Sequence, residues 1–440
     1  MDSTFYTSNR QSLYTRLADP QEPFLLILFA GHAPRKTADE YYPFFANRNF
    51  VYLTGIGDSC AEGFIFMAER KNGVITETLF ILPPDAHAER WQGRRMRAEE
   101  AGRLSGIQDI AFLDTFYQQF HTTVSAGLTA AGHTNKGSAG HTSPGSASSY
   151  LTNIWLDLDR HKPDEPDNHT LVFANRTSHN YPFVRIHNVH PHLRALRTIK
   201  QPCEIEAMKK AMTITREAIL DMMRASRPGM YEYEYKAIFD AALTRNGVLA
   251  PGFPPIISAG QNNFCIHYYA YTGKAEDGDM ILNDVGARWD YLGNDVSRGW
   301  PCNGKFTEKQ RLLYTCAYNT SEYMFRTIKP GMPMASVDQT ARQFCFEQLK
   351  GIGLVERFED VGKYIWHGGA HHVGFDTHDA VDLQQSVAPG MVFCVDVGIY
   401  CEEWGIGFRL EDNCLVTETG CVNLSADIPR TIEEIEAVMR

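Results

Sequence analysis

One pattern occurs twice in the C-terminal half of the chain and restricts what this half can fold into. The two stretches are ILNDVGARWDYLGND at 281–295 and FCVDVGIYCEEWGIGFRLED at 393–412. Each has an apolar run, an Asp-Val-Gly step, a turn and a second run that ends in a carboxylate, which is typical of a β-hairpin. Chance similarity is the alternative, because Asp-Val-Gly is a short match. Two such hairpins facing each other would bring together four carboxylates: Asp284, Asp295, Asp396 and Glu411.

Four carboxylates in one place indicate a metal site, because repulsion and desolvation would otherwise raise their pKa values until they were protonated. His371, in the segment HGGAHHVGFDTHD, adds a nitrogen donor. Such a donor set, without a thiolate, favours Mn²⁺, with Co²⁺, Fe²⁺ or Zn²⁺ as alternatives. Five side chains cannot complete two separate shells, so we expect some carboxylates to bridge two ions about 3.5 Å apart. The alternative is that the acids end hairpin turns and His371 is a core histidine.

The composition excludes several classes of function. A chain of 440 residues suits two domains, and 43% hydrophobic with 22% charged residues is typical of a soluble globular protein. The formal charge of −11 argues against a nucleic-acid partner. No apolar run is long enough for a membrane span, and the N-terminus lacks the pattern of a signal peptide. Ten cysteines without a C-x-x-C pair predict reduced, mostly buried thiols, and we expect a cytoplasmic protein.

The N-terminal third predicts a small α/β domain, because short apolar runs such as FLLILFAG and ETLFILPP alternate with loops and helical segments. Residues 127–150 are rich in Gly, Ser and Thr. They predict a mobile surface excursion that carries His133 and His141 as exposed bystanders. A domain boundary is expected within 175–195.

Three helices of the C-terminal half are marked by their first residues. One is predicted from Pro202, with Glu204 in its first turn complementing the helix dipole. Two more are predicted by capping boxes, the second of them opening a helix that stops at Gly351. The capping boxes are Thr307-x-x-Gln310 and Ser336-x-x-Gln339.

Five segments resemble, in chain order, the signature blocks of the aminopeptidase P and prolidase family. They are ISAGQNNFCIHYY, ILNDVGARWDYLGNDVSRGWPCNGKFTEKQ, HGGAHHVGFDTHD, PGMVFCVDVGIY and GIGFRLEDNCLVTETGCVNLS. The runs YPFFANRNFVYLTGI and ILPPDAHAERWQGRRM are similar to the creatinase-type N-terminal domain of aminopeptidase P. The resemblance covers nearly the whole chain except 121–165. It implies an α/β (α+β) fold with a creatinase-like domain at 1–180 and a pita-bread catalytic domain at 195–440, whose pseudo-two-fold symmetry would explain the repeat.

The resemblance also implies a cofactor of two divalent metal ions, which we expect to be Mn²⁺. By analogy the ligands are Asp284 for one ion, His371 and Asp396 for the other, and Asp295 and Glu411 as bridges between them. The resemblance implies that a water shared by the ions would be the nucleophile, because two cations lower the pKa of such a water towards neutrality. Asp396 takes the proton of this water and passes it to the leaving proline nitrogen.

Four further residues resemble the lining of the family's site. His267 and His378 match histidines that stabilise the oxyanion and hold the substrate carbonyl. His367 and Arg409 match residues on the proline side, although an ordinary hydrogen-bonding role is an equal alternative for these two. His372 has no role in the family and is expected to pack in the interior.

One position departs from the family's pattern. The usual Glu-Pro-Gly is Asp396-Val397-Gly398 in this chain. Aspartate is one methylene shorter, and the proline that fixes the following turn is absent. Either Asp396 is a retained ligand at an altered second metal site, or the site has lost activity. We expect retention, because the other ligand positions keep their carboxylates and histidine.

The function implied by the resemblance is a metal-dependent exopeptidase that acts on peptides with proline at the second position. One alternative is a prolidase, restricted to dipeptides. Creatinase-like C–N hydrolysis without a metal is another, against which the five donors argue, and a catalytically weakened peptide-binding module is favoured only by Asp396. We expect a homo-oligomer, either dimer or tetramer. Trp91 resembles a residue that reaches a neighbouring subunit's site in relatives, with burial under the N-terminal domain as the alternative.

Overall fold

The computed structural model describes residues 1–17, 22–132, 151–379 and 384–440. The chain forms two compact units, Met1–Leu196 and Arg197–Arg440. Residues 133–150 of the predicted excursion, with His133 and His141, lie outside the described residues. Within the described ranges, no helix combines the length and the apolar character that a membrane crossing requires.

The first unit is built on a mixed sheet. Its elements in chain order are α1 (Ser3–Leu17), β1 (Phe24–Phe29), β2 (Arg35–Thr37), β3 (Glu40–Tyr41), α2 (Arg48–Thr54), β4 (Ile65–Lys71), β5 (Val74–Ile81), α3 (Ala86–Gln92), α4 (Ala98–Ser105), β6 (Asp109–Phe112), α5 (Phe116–Gly132), β7 (Asn153–Leu156), α6 (His169–Asn180), β8 (Arg185–Asn188) and α7 (His190–Thr198). The boundary between the two units falls within α7. Six strands form the sheet in the order β6-β5-β4-β1-β7-β8. β1 is buried along its whole length, as its continuous apolar sequence predicts for a central strand. It pairs antiparallel with β4 and parallel with β7.

Helix α5 extends further than the composition predicts. Residues 127–132 were expected to begin the surface excursion, but they form the end of α5. The sequence GLTAAG contains one leucine and two alanines, which have high helix propensity and allow the helix to continue. The predicted start of the excursion is therefore wrong.

The second unit contains both acidic hairpins. Its elements are α8 (Pro202–Ala225), α9 (Glu232–Arg245), β9 (Ile256–Ala259), β10 (Met280–Val285), β11 (Arg288–Trp289), β12 (Leu292–Gly293), β13 (Val296–Pro301), α10 (Glu308–Thr327), α11 (Met334–Gly351), β14 (Val392–Cys401), β15 (Ile406–Val416), β16 (Cys421–Asn423) and α12 (Ile432–Val438). One antiparallel sheet has the order β13-β10-β9 and another has the order β14-β15-β16. Both predicted hairpins are present, as β10 with β13 and β14 with β15. The small ribbon β11–β12 interrupts the first of them.

The helix signals of the second unit were partly correct. α8 begins at Pro202, and the Glu204 carboxylate accepts a hydrogen bond from the Gln201 N–H at 2.8 Å. The Thr307 box caps α10 as predicted. The Ser336 box is wrong, because the N-cap of α11 is Pro333 and the helix begins three residues earlier than predicted. The Ser336 hydroxyl donates to the Pro333 carbonyl at 2.7 Å, since Met334 and Ala335 favour the helix and extend it towards the proline.

Side chains of β14 alternate between two environments, as the two-residue period of a strand requires. Val397 and Ile399 face the main hydrophobic core, which helices α8 to α11 supply with apolar residues. Cys394, Asp396 and Gly398 occupy the alternate positions and so share the other face. The hydrophobic pattern therefore determines which side of the hairpin carries the polar groups.

Candidate metal centre and active site

The β14–β15 hairpin places three cross-strand pairs on one face. Antiparallel pairing sets Asp396 directly opposite Glu411, with Cys394 opposite Asn413 on one side and Gly398 opposite Arg409 on the other. Side chains that are directly opposite on one face lie about 5 Å apart at Cβ. The register alone therefore brings two carboxylates into one small volume.

The β10–β13 hairpin supplies the other two carboxylates. Asp284 lies on β10 opposite Ser297, and Asp295 immediately precedes β13. Ser297 Oγ donates to Glu411 Oε2 at 2.9 Å. Arg409 Nη2 donates to Asp284 Oδ2 at 2.7 Å. These contacts join the two hairpins face to face, so the four predicted acids converge.

His371 reaches the acids because its segment runs alongside β14. The Cys394 N–H donates to the His371 carbonyl and the Asp396 N–H donates to the Gly369 carbonyl, each at 2.8 Å. Any Cβ at residue 369 would lie 2.4 Å from the Asp396 carbonyl oxygen, so this approach requires glycine. His371 Nε2 consequently lies 3.3 Å from Glu411 Oε1 and 3.6 Å from Asp295 Oδ2.

One compact group of potential donors in the described residues differs from the predicted set. Asp295, His371, Cys394 and Glu411 each offer one ligand atom, and these atoms all lie within 4.8 Å of one another. The sequence did not single out Cys394, whose thiol lies among these potential donor atoms. Strand alternation could have identified it, because Cys394 precedes Asp396 by two residues. It was passed over because a buried cysteine in a strand usually acts as a small apolar residue.

Asp396 is oriented differently from the four clustered donors. Its Oδ2 lies 3.2 Å from Nδ1 of His367, whose Nε2 lies 3.0 Å from the Tyr400 hydroxyl. Burial disfavours the charged imidazole, but the Asp396 carboxylate raises the pKa of His367 to about 9. Burial likewise opposes the charge on Asp396, yet the His367 and Arg409 cations hold the pKa of this carboxyl below its ordinary value. Asp396 is thus an ion-paired carboxylate at the edge of the cluster.

The residues present fit a divalent cation. Asp284 Oδ1, Asp295 Oδ1 and Asp396 Oδ1 are buried and accept no hydrogen bond from the part of the chain that the structure describes. Buried carboxylate oxygens without donors are costly unless a cation binds them. Burial, followed by the charges of Glu411 and Asp284, raises the pKa of Asp295 well above its ordinary value. Such a carboxylate is stable in its charged form only when positive charge is supplied.

His267 and His378 are exposed, unlike the buried acids of the cluster. The His378 ring centroid is 4.4 Å from that of His371. Burial lowers the pKa of His378, and the nearby His371 and His267 lower it further. A neutral His378 can donate one ring N–H towards a ligand at the centre. His372 instead packs against Phe393 and is 2% exposed, as expected for an interior residue.

Supporting residues that the sequence did not reveal hold both hairpins in place. Arg298 is fully buried and donates to the Glu411 carbonyl at 2.8 Å and to Asp412 Oδ1 at 2.7 Å. The Tyr400 hydroxyl accepts a hydrogen bond from Arg409 Nη1 at 3.0 Å. Arg298 and Asp412 are charged residues within buried strands, and this was the signal available.

The segment that carries His378 is held by a buried ion-pair network. Asp379 accepts a hydrogen bond from Lys200 Nζ at 2.6 Å and pairs with Arg197. Glu204, 1% exposed, brings a further carboxyl group close to Lys200 and Asp379. Burial, opposed by the Lys200 charge, raises the pKa of Glu204 to about 7.

Comparison with known proteins identifies families and solved structures that resemble this chain. Residues 206–418 match the model of metallopeptidase family M24, and residues 6–129 match that of the aminopeptidase P N-terminal domain. An Escherichia coli relative named Xaa-Pro aminopeptidase is 27% identical over 453 residues, covering 99% of this chain and 97% of its own length. The solved structure of a Bacillus anthracis protein assigned as an aminopeptidase P superposes with a TM-score of 0.91 at 35% identity, covering 100% of this chain and 99% of its own.

The solved structure of zinc-substituted E. coli aminopeptidase P in complex with product has a TM-score of 0.84 at 25% identity, and covers 100% of this chain and 98% of its own. These likenesses extend over both units, and they confirm the pita-bread fold with a preceding N-terminal domain. The 35% identity over the full length and the two matching family models establish that this chain belongs to the aminopeptidase P family of M24 metallopeptidases.

Proposed function

We propose that this chain is an Xaa-Pro aminopeptidase that uses two divalent metal ions to release the first residue from peptides with proline at the second position. The proposal rests mainly on one observation. In a chain of this family, buried carboxylates whose oxygens lack hydrogen-bond donors among the described residues lie close to His371. The E. coli relative over nearly the full length is named Xaa-Pro aminopeptidase, which supports the same substrate class. The oxygen-rich side of the site suits Mn²⁺.

The residues that would hold the ions are Asp284, Asp295, His371, Asp396 and Glu411, with Asp295 and Glu411 shared between both ions. When bound, the ions lower the pKa of a shared water and polarise the scissile carbonyl. Asp396 accepts a proton at its carboxylate and delivers it to the leaving proline nitrogen. His367 orients Asp396 for this transfer through the 3.2 Å contact.

His378 and His267 act on the substrate rather than on the metal. Both residues are exposed, so a peptide carbonyl can approach them. Their ring N–H groups stabilise the negative charge that develops on the carbonyl oxygen. His367 and Arg409 contribute to the proline side, and Arg409 also neutralises part of the charge of Asp284.

We further propose a cytoplasmic homo-oligomer in which Trp91 contacts a neighbouring copy. Trp91 lies on α3 and is 80% exposed, so its burial under the N-terminal domain is wrong. An exposed tryptophan of this kind is unusual on a surface that has no partner. Light scattering of the wild type and of Trp91→Ala measures the oligomeric state directly.

The test of function combines metal analysis with two substrates. The purified protein is stripped with a chelator, reloaded with Mn²⁺, and assayed on an Xaa-Pro-Xaa tripeptide and a Gly-Pro dipeptide. We expect hydrolysis of the tripeptide that depends on the added metal. Cleavage of the dipeptide alone would identify a prolidase instead. Absence of both activities at full metal occupancy would overturn the proposal.

A further inference from the structure

We propose that Cys394 is a metal ligand, and that its thiolate makes one of the two metal positions selective for Zn²⁺ or Co²⁺ over Mn²⁺. The inference rests on the proposed two-metal function and adds a donor that this function does not require. Cys394 is fully buried on β14. Its sulfur belongs to the group of four donor atoms that lie within 4.8 Å of one another, whereas no atom of Asp396 does.

Asp396 lies outside the donor group that includes the sulfur. Aspartate at this position pairs with His367 at 3.2 Å. Cys394 lies two residues earlier on the same strand face, beside Asp295, His371 and Glu411. Four donors of mixed type at this spacing match the four-coordinate arrangement that Zn²⁺ adopts with sulfur, nitrogen and oxygen ligands.

The sulfur is also positioned by a polar partner. Asn413 is directly opposite Cys394 in the hairpin and is fully buried. Its Nδ2 donates to Cys394 Sγ at 3.4 Å and to the Asp295 carbonyl at 2.7 Å. One amide therefore fixes Cys394 relative to a carboxylate ligand, and its N–H stabilises negative charge on sulfur. A cysteine that merely filled space would not need such a donor.

Metal binding by Cys394 exchanges the thiol proton for a metal ion. The S–H bond of Cys394 breaks, a metal–sulfur bond forms, and one proton is released to the solvent. No oxidant or reductant takes part. Thiolate is a soft ligand, which favours Zn²⁺ and Co²⁺ and disfavours Mn²⁺. The two metal positions would then differ, one rich in oxygen and one with a thiolate.

The test compares Cys394→Ser with the matched variant Cys401→Ser. Cys401 is on the same strand and is also fully buried, but it lies outside the donor group. Metal-free proteins are titrated with Co²⁺, and the near-ultraviolet charge-transfer absorption from thiolate to cobalt is recorded. We expect this absorption in the wild type and in Cys401→Ser, and its loss in Cys394→Ser. Zn²⁺ affinity should fall on the order of tenfold in Cys394→Ser, with little change for Mn²⁺.

A second measurement needs no variant. X-ray absorption of the zinc-loaded wild type should show one sulfur at about 2.3 Å. Cobalt or zinc binding without a sulfur signal, in a protein that hydrolyses an Xaa-Pro-Xaa peptide, would overturn the ligand assignment and leave the proposed function intact. A protein that neither binds these ions nor hydrolyses the peptide would overturn both.

Discussion

Arg409 donates a hydrogen bond from Nη2 to Asp284 Oδ2 at 2.7 Å, and both side chains are buried. The arginine expected on the substrate side therefore also compensates a carboxylate of the candidate metal centre. Removing one partner of a buried ion pair costs about 3–5 kcal/mol, because the other charge is left uncompensated. A cation bound at Asp284 can replace part of that compensation.

We therefore expect Arg409→Met to lower the free energy of unfolding of the metal-free protein by about 3–5 kcal/mol, with partial recovery in excess Mn²⁺. Urea unfolding with chelator and with Mn²⁺ measures both values. Arg326→Met, at an exposed site on α10, is the control and should change little. Equal destabilisation with and without metal would show that Asp284 does not bind a cation.

The bridging assignment predicts how metal content responds to single substitutions. Asp295→Ala or Glu411→Ala should lose both ions together, because each carboxylate would serve two shells. Asp284→Ala should mainly lose one. Metal analysis by mass spectrometry gives the number of ions per chain for each variant. Two retained ions and full activity in Glu411→Ala would exclude a bridging role.

His378 and His267 are predicted to act without binding metal. Replacing either with alanine should lower kcat by about 10²–10³, the usual cost of losing an oxyanion donor, with metal content near that of the wild type. His161→Ala, at an exposed position in the first unit, is the control. Metal loss in His378→Ala would make this residue a ligand, and an unchanged kcat would assign it a purely structural role.

Asp396 is predicted to be essential despite its shorter side chain. Asp396→Asn keeps the shape but removes charge and basicity, so hydrolysis should be abolished and metal occupancy reduced. Asp396→Glu restores the family's side chain and should tighten the second metal. Titration with Mn²⁺, monitored alongside peptide hydrolysis, distinguishes the two effects. Wild-type activity in Asp396→Asn would reduce Asp396 to a structural residue.

Stability should depend on pH through Glu204. Burial raises its pKa from 4.5 to about 7, so the folded state binds this proton more tightly than the unfolded state. The resulting stabilisation is complete below pH 4.5 and is lost as pH rises through about 7, with a limit of about 3 kcal/mol.

Urea unfolding at pH 5 and pH 8 measures this loss in the wild type and in Glu204→Gln. The variant has no carboxyl group to ionise at this position, so its stability should fall less between the two pH values. The Glu204→Gln side-chain oxygen can still accept the Gln201 N–H, which preserves the cap of α8. An identical decline in both proteins would assign the pH dependence to other groups.

The acids of the hairpins could be located from the sequence because their placement follows from local pattern. Strand alternation and the repeated Asp-Val-Gly step put the acids on one face of each hairpin without any knowledge of tertiary contacts. The pairing of Asp396 with His367 could not be predicted. It depends on a side chain that is shorter by one methylene and on where the segment 367–371 runs alongside β14. Cys394 shares the same alternation but was excluded by the ordinary behaviour of buried cysteines.

The starts of the helices could be predicted from the sequence only in part, for a different reason. The Thr307 box was correct because its two reciprocal hydrogen bonds are local and independent of the rest of the fold. The Ser336 box has the same sequence signature, but the neighbouring Pro333 and Met334 start α11 earlier. Two neighbouring sequence signals for a helix start compete, and the sequence alone does not show which one is used.

The roles of Arg298 and Asp412 could not be predicted either, since their ion pair joins strands that are far apart in the chain.

The opposition of Asp396 and Glu411 across the β14–β15 hairpin has a consequence for folding itself. If β14 paired one residue out of register, Val395 and Val397 would face the acids, while Cys394 and Asp396 would point into the apolar core. A chain with this error could not assemble the donor group and would gain nothing from added metal. If the donor group binds metal as proposed, added cation would stabilise the hairpin with correct strand pairing and not the shifted one.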